Sequence, residues 1–324
     1  MLSIIRKFLI YVLLFLTSNT ALAFSPARLE QILLPYKGKV GLAFVDLNTG
    51  YTFHVNGSNK YPAASVAKVP VMATAYYLAD QGKLDLDAKV TLRQSDKLGG
   101  SGVLQWRKPG QRYTLRNLIR MMISLSDNTA TRMIVNVIGT PEINSYIRSA
   151  GLENTIVADP TMLKAPPGPG NNRTSPLDMA KLIAKINDGV SFYPASAQEM
   201  LGFMKNQRYR WGIWRGVPKN IVVADKTGNL DGVLNDAGIV YTKPGNYILS
   251  VFTYDFKKQR DARQVINALS TAAYEEYTGE KVPKPKVKKI TYKKKKITKR
   301  RSPRRPSVKL KRRTGQSVRA SSRK

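Results

Sequence analysis

"NIVVADKTG" (220–228), "DAGIVYT" (236–242) and "NYILSVFTYD" (246–255) are three runs rich in β-branched and aromatic residues, parted by short turns. They read as three consecutive strands. Near the other end of the chain, "VGLAFVDLNTGYTFHVNG" (40–57) gives two more β-rich runs around "LNTG", where Asn48 and Gly50 suit a tight reversal. Strands early and strands late, with helical patterning between, imply one sheet interrupted by an insertion. The expected fold class is therefore α+β, an α/β sandwich. It has a five-stranded antiparallel sheet flanked by terminal helices, with an inserted all-helical subdomain. The amphipathic stretch "QRDARQVINALSTAAYEEYTG" (259–279) supplies the closing helix.

The insertion can be read the same way. From Ser65 to about Gly82 apolar residues recur at helical spacing, and Pro70 is tolerated in the first turns. Residues 114–138 read as two helices with a polar break at Ser126-Asp127-Asn128, where Asp127 is expected to cap backbone N–H groups. Residues 155–176 carry four prolines before "TSP" and little periodicity, which predicts a long ordered loop ahead of the helix "LDMAKLIAKIND".

Composition narrows the chemistry. The chain of 324 residues has no cysteine and one histidine, so neither a disulfide framework nor a catalytic zinc cluster is expected, and no metal or cofactor is assigned. His54, in "YTFHVNG", reads as a strand residue near a turn. The formal net charge of +33 suggests a nucleic-acid binder until its distribution is examined: residues 281–324 hold 21 Lys and Arg and no Asp or Glu. That low-complexity, proline-punctuated segment, 280–324, is expected to be a disordered basic arm. At the other end, Arg6 and Lys7 precede the apolar run "FLIYVLLFLT", and "ALA" follows at 21–23. This reads as a signal peptide, 1–23, cleaved after Ala23; the uncleaved alternative is a membrane anchor. The folded domain is placed at 24–279.

Within "AASVAKVP" (63–70), Ser65 stands three positions before Lys68, so both share one helix face. With His54 the only histidine, the usual base for a serine nucleophile is missing, and a lysine must be considered. Serine three before lysine is weak alone. Joined by Ser126-Asp127-Asn128 and by Lys226-Thr227-Gly228, in that order, it is rare by accident.

The three motifs resemble those of class A β-lactamases and penicillin-binding proteins, and "SGVLQW", "LSDNTATRMI", "TSPLDMAKLIAKI" and "GVPKNIVVADKTGNLDGVLNDAGIVY" resemble class A sequence around the same landmarks. The resemblance implies a β-lactamase/transpeptidase-like fold and a serine hydrolase that forms an acyl-enzyme on Ser65. A helix start favours the anionic oxygen of a tetrahedral intermediate. The N–H groups of Ser65 and Asn229 would form the oxyanion hole, with Gly228 letting the strand approach. Lys68 would accept the proton if burial beside Lys226 keeps it neutral. The resemblance further implies that Ser126 relays a proton to the leaving nitrogen, Asn128 holds the substrate's side-chain amide, and Lys226 with Thr227 binds its carboxylate.

Two departures follow from the same register. Where the family has a glutamate-proline pair that activates the deacylating water, this chain has Asp159-Pro160, and the asparagine site four positions on is Leu163. The base is one methylene shorter and its partner is missing, so deacylation through Asp159 is expected to be slow. An arginine that many class A enzymes use for the substrate carboxylate is also missing. Ala237 stands near its place, with Arg210 or Arg215 as substitutes.

The expected partner is a β-lactam or peptidoglycan-type small substrate. For the basic arm, anionic envelope polymers such as lipopolysaccharide or peptidoglycan are favoured over nucleic acid, because Tyr292 is its only aromatic residue. An exported monomer, periplasmic or secreted, is expected. A cell-wall DD-peptidase and a non-catalytic envelope- or nucleic-acid-binding protein are the competing readings.

Overall fold

Successive strand residues point to opposite faces, and in the central sheet both faces are covered. Val223, Val240, Leu249 and Val251 enter one apolar cluster, whereas their neighbours Ala224, Ile239, Ile248 and Phe252 enter another. Covering on both sides explains why these strands read as nearly continuous apolar runs rather than as clean alternation. The computed structural model describes residues 24–159, 161 and 171–283. The expected leader at 1–23, the arm from residue 284, Pro160 and the segment 162–170 with Leu163 lie outside the described residues.

The chain opens with α1 (Ala27–Leu33) and the hairpin β1 (Val40–Asp46) and β2 (Thr52–Val55). A short strand β3 (Tyr61–Pro62) leads into a 3-10 turn at Ala64–Ala67, which continues directly as α2 (Lys68–Asp80). After the small hairpin β4 (Lys89–Thr91) and β5 (Arg112–Thr114) come α3 (Leu115–Ser124), α4 (Asn128–Ile138) and α5 (Thr140–Ser149). The expected break in the 114–138 stretch is the gap between α3 and α4. Strand β6 (Arg173–Thr174) pairs with β3, and α6 (Pro176–Asn187) and α7 (Pro194–Lys205) complete the insertion. Then β7 (Val222–Leu230), β8 (Val233–Tyr241), β9 (Asn246–Thr253) and α8 (Gln259–Thr278) follow.

The sheet runs β2-β1-β9-β8-β7, antiparallel throughout. It has the five strands and the order of ends expected from sequence. Helices α1 and α8 cover one face through Leu29, Leu33, Val265, Ile266 and Leu269, and the inserted helices cover the other. Residues at the start of the expected arm still belong to this body: Val282 donates its N–H to Glu275 (2.9 Å), and Glu280 accepts from the Tyr274 hydroxyl (2.7 Å). His54 lies exposed on β2 opposite Ala43, as a plain strand residue.

Candidate active site

Three polar termini converge on the inner edge of β7. Ser65 lies on the 3-10 turn that starts the α2 run, Ser126 and Asn128 flank the α3–α4 break, and Lys226 and Thr227 lie on β7. The backbone is held unusually at the first two places. Ala64 (φ 48°) and Ser126 (φ 53°) both adopt left-handed conformations that non-glycine residues avoid, so the surrounding contacts must impose them.

Those contacts are visible. Asn235 of β8, fully buried, donates to the carbonyls of Pro62 (2.8 Å) and Ala63 (3.2 Å), fixing the backbone just before Ser65. Asp127 caps α4 through Ala130 N–H (2.9 Å), and its other oxygen takes the N–H groups of Val103 (2.6 Å) and Leu104 (2.9 Å). Asp127 is thus a structural clamp, as its position at a helix break suggested. Gly228 runs so close to the nucleophile turn that an added Cβ would lie 3.2 Å from Ser65 N and 3.1 Å from Ala63 O. The close approach expected of this glycine is present.

Lys68 is the hub. Its Nζ, wholly buried, lies 3.0 Å from Ser65 Oγ, 2.7 Å from the Ser126 carbonyl, 3.1 Å from Ser126 Oγ and 2.8 Å from Asn128 Oδ1. The Ser126 carbonyl and Asn128 Oδ1 can only accept, so they take two N–H groups. A neutral amine has just two, and its lone pair is then left for the serine hydroxyls. Burial, and secondarily the nearby Lys226 cation, push the Lys68 amine well below its ordinary value of 10.5.

Lys226 is equally buried and donates to Thr227 O (2.8 Å) and to Ser126 Oγ (3.2 Å), so Ser126 Oγ stands between the two lysines. Burial lowers Lys226 to about 8, against the pull of Asp225 and Asp236. The Thr227 hydroxyl makes no hydrogen bond to a described residue, while Asn229 is exposed and its Oδ1 accepts from Gln259 (2.8 Å).

Asp225 and Asp236 were not singled out from the sequence, nor was Asn235. The two aspartates sit on facing strands within the sheet, 2% and 0% exposed. Asp236 accepts from Ile213 N–H (2.7 Å), yet one oxygen of each carboxyl lacks a partner. Burial and the neighbouring Asp236 hold the Asp225 carboxyl well above 3.8. Burial, partly offset by that backbone N–H, pushes Asp236 up to about 6. A proton on Asp225 donated to Asp236 satisfies both. The signal available was "LNDAG" (234–238): polar residues inside a strand whose two faces are both buried.

Asp159 is not part of this cluster. Its carboxylate accepts from the Thr161 hydroxyl (2.7 and 2.6 Å) and the Thr161 N–H (3.0 Å), a local turn that leaves both oxygens engaged away from Ser65 and Lys68. Ala237 is buried on β8 opposite Lys226, Arg210 lies over the Trp214 ring (5.1 Å to the centroid), and Arg215 is exposed. Among the described residues no group of His, Cys, Asp or Glu is arranged to hold a metal ion, and no helix is long and apolar enough to cross a membrane.

Ser65, the buried Lys68, the bridging Ser126 and a second buried lysine on the edge strand β7 form a recognisable catalytic geometry, and the family comparison agrees. The Beta-lactamase enzyme family model matches residues 26–277. The chain belongs to this family. It is a serine hydrolase of the class A β-lactamase type. The β-lactamase CTX-M-8 of Citrobacter amalonaticus is 26% identical over 242 residues, covering 73% of this chain and 82% of that one. Among solved structures, the β-lactamase of Sphaerobacter thermophilus superposes with a TM-score of 0.75 at 29% identity, covering 80% of this chain and 100% of that one. A PBP-A point mutant solved as its acyl-enzyme complex with penicillin G gives a TM-score of 0.72 at 30% identity, covering 78% and 97%.

Proposed function

We propose that this protein opens β-lactam rings through an acyl-enzyme on Ser65 and releases the product slowly. The observation that carries the reading is the environment of Lys68, whose two obligatory acceptors leave its lone pair for a serine hydroxyl. Ser65 Oγ attacks the ring carbonyl carbon while its proton passes to Lys68. The developing oxyanion is met by the N–H groups of Ser65 and Asn229. As the C–N bond breaks, Ser126, standing between Lys68 and Lys226, delivers a proton to the departing nitrogen. Lys226 and the unpartnered Thr227 hydroxyl bind the substrate carboxylate, and Asn128 its side-chain amide.

Water must then cleave the ester, and Asp159 is the candidate base. Its carboxylate is engaged by Thr161, and a misplacement of about 1 Å can cost roughly 10²-fold in rate. Slow release follows from that geometry. The same observation, with the likeness to PBP-A, favours a second reading: a penicillin-binding hydrolase acting on peptidoglycan stem peptides. The apolar N-terminal run and the basic C-terminal segment support export to the envelope and retention on its anionic polymers, with the small substrate met there by a monomer.

Intact-mass spectrometry of the mature protein mixed with excess benzylpenicillin, beside an assay of ring opening, tests this. A covalent adduct that outlives many seconds and still turns over is expected. Cleavage of a D-Ala-D-Ala peptide with one ring opened per protein would favour the second reading. The absence of any adduct and any ring opening would overturn both.

A further inference from the structure

Away from the serine cluster, a cavity of about 250 Å³ opens where the 155–176 segment leaves and rejoins the body. Three cations line it from three elements: Lys60 just before β3, Arg148 in the last turn of α5, and Arg173 on β6. None of the three side chains makes a hydrogen bond or ion pair with a described residue, and the Nε of Arg173 is buried with no partner at all. Glu153 is also in the wall, yet it forms no salt bridge with any of them. The lining therefore carries two net positive charges. A buried N–H left unpaired is destabilising, a cost that an acceptor in the cavity removes.

Of the other polar side chains in the wall, Asn144 and Thr155 are already committed to described residues, while the Glu153 carboxylate and the Asn154 amide are not. Asn144 donates to Thr140 O (2.9 Å) and Val157 O (2.7 Å) and accepts from Val157 N–H (3.0 Å). Thr155 Oγ1 lies 2.9 Å from Thr174 Oγ1 and donates to Asp178 (2.7 Å). What the cavity offers a ligand is thus a net cationic set of donors, two of them guanidinium groups, with one uncommitted amide and one carboxylate beside them. We propose that this cavity is an oxyanion site for a phosphate group, free or carried on a small molecule. The volume is somewhat below that of pockets for drug-sized ligands and leaves room for a phosphate with a short substituent.

The site's place gives it a consequence for the segment it closes. Ile156 and Arg173 are bridged backbone to backbone (2.9 and 3.1 Å). The next residue back, Asn172, accepts the N–H groups of Ala158 and Asp159 (2.8 and 2.9 Å). A phosphate held by Lys60, Arg148 and Arg173 would anchor one end of the segment that carries Asp159, at Arg173, to α5 and to the residue before β3.

The test is a titration of the full chain with inorganic phosphate and, separately, with glycerol 3-phosphate. Ionic strength is matched with chloride, and the thermal midpoint and isothermal heat are followed for wild type, Arg173→Gln and the surface variant Arg148→Ala. The basic arm contributes equally to all three proteins, so the comparison isolates the cavity. Wild type is expected to show a saturable rise in Tm that each variant weakens by about fivefold or more in apparent affinity, with its Tm in chloride alone unchanged for Arg148→Ala. Tighter binding of the ester than of the ion assigns the phosphate to a larger molecule; equal or weaker binding assigns it to the free ion. A phosphate effect no greater than that of chloride, or one that both variants retain in full, overturns the proposal.

Discussion

The lysine cluster and the base of the Asp159 segment lie in one fold but are built on different principles. Around Lys68, every hydrogen-bond partner comes from a turn or the start of a helix, and Lys226 stands beside it on the edge strand β7. Ser65 is pinned by Asn235 and Gly228, Ser126 and Asn128 by the Asp127 clamp, and Lys226 by the pairing of β7 with β8. Asp159, by contrast, has its carboxylate held by a turn with a residue two positions on and its backbone by the side chain of Asn172. The first site is positioned by the tertiary core, the second by local chemistry. On the proposed mechanism, acylation would rest on preorganised geometry, and release on a carboxylate that must give up its turn.

That contrast can be broken most directly at the nucleophile. Ser65→Ala should abolish the penicillin adduct, lowering acylation by at least about 10³-fold; an adduct of unchanged mass shift would remove the cluster from the chemistry. Lys68→Ala comes next. A loss of about 10²–10⁴-fold in acylation rate is expected, the usual size of a general-base contribution. In the wild type, the acylation rate should rise as Lys68 loses its proton and reach a plateau well below pH 10.5. A profile still climbing at that pH would mean the amine is not held neutral.

At the second site the effects are smaller. Asp159→Ala should lengthen the adduct lifetime by up to about tenfold and leave its formation unchanged, measured by mass spectrometry after removal of free penicillin. Rapid sustained turnover that ignores this substitution would break the contrast from the other side.

The buried acid pair beneath Lys226 offers a test by stability rather than rate. Asp236 is raised from 3.8 to about 6 in the folded protein, so between those values the native state holds more protons than the unfolded one. Its contribution is complete below about pH 4 and is lost as pH rises through 6. Asp236→Asn, which mimics the protonated form, should match the wild-type Tm near pH 4 and exceed it by several degrees at pH 7. A difference independent of pH would show that the pair does not titrate in that window. Smallest of all, His54→Ala should leave both acylation and Tm within error, since the ring is exposed on a sheet edge.

Much of this architecture was legible early. The three late strand runs and the early hairpin already required a single sheet, because β-branched and aromatic runs divided by turn residues carry a local signal. Ser65, Lys68, Ser126, Asn128, Lys226 and Thr227 were legible through motif spacing, and they meet in space. Helix α5 was not read, and neither were Asn235, Asp225 and Asp236. A polar residue in a strand gives no local sign that its neighbours will bury it, and burial is what turns Asn235 into a clamp and raises the two aspartates above the usual carboxylate range.

By itself, the sequence determined the five strands of the sheet and the candidate reacting groups, because periodicity, turn chemistry and motif spacing act over a few residues. Only the tertiary structure decided the burial of Lys68 beside Lys226, the pairing of Asp225 with Asp236 and the gathering of Lys60, Arg148 and Arg173 around one cavity. Each of these depends on groups distant in the chain brought within hydrogen-bond or Coulomb range and removed from water, and in that setting an amine, a carboxyl or a guanidinium changes what it does.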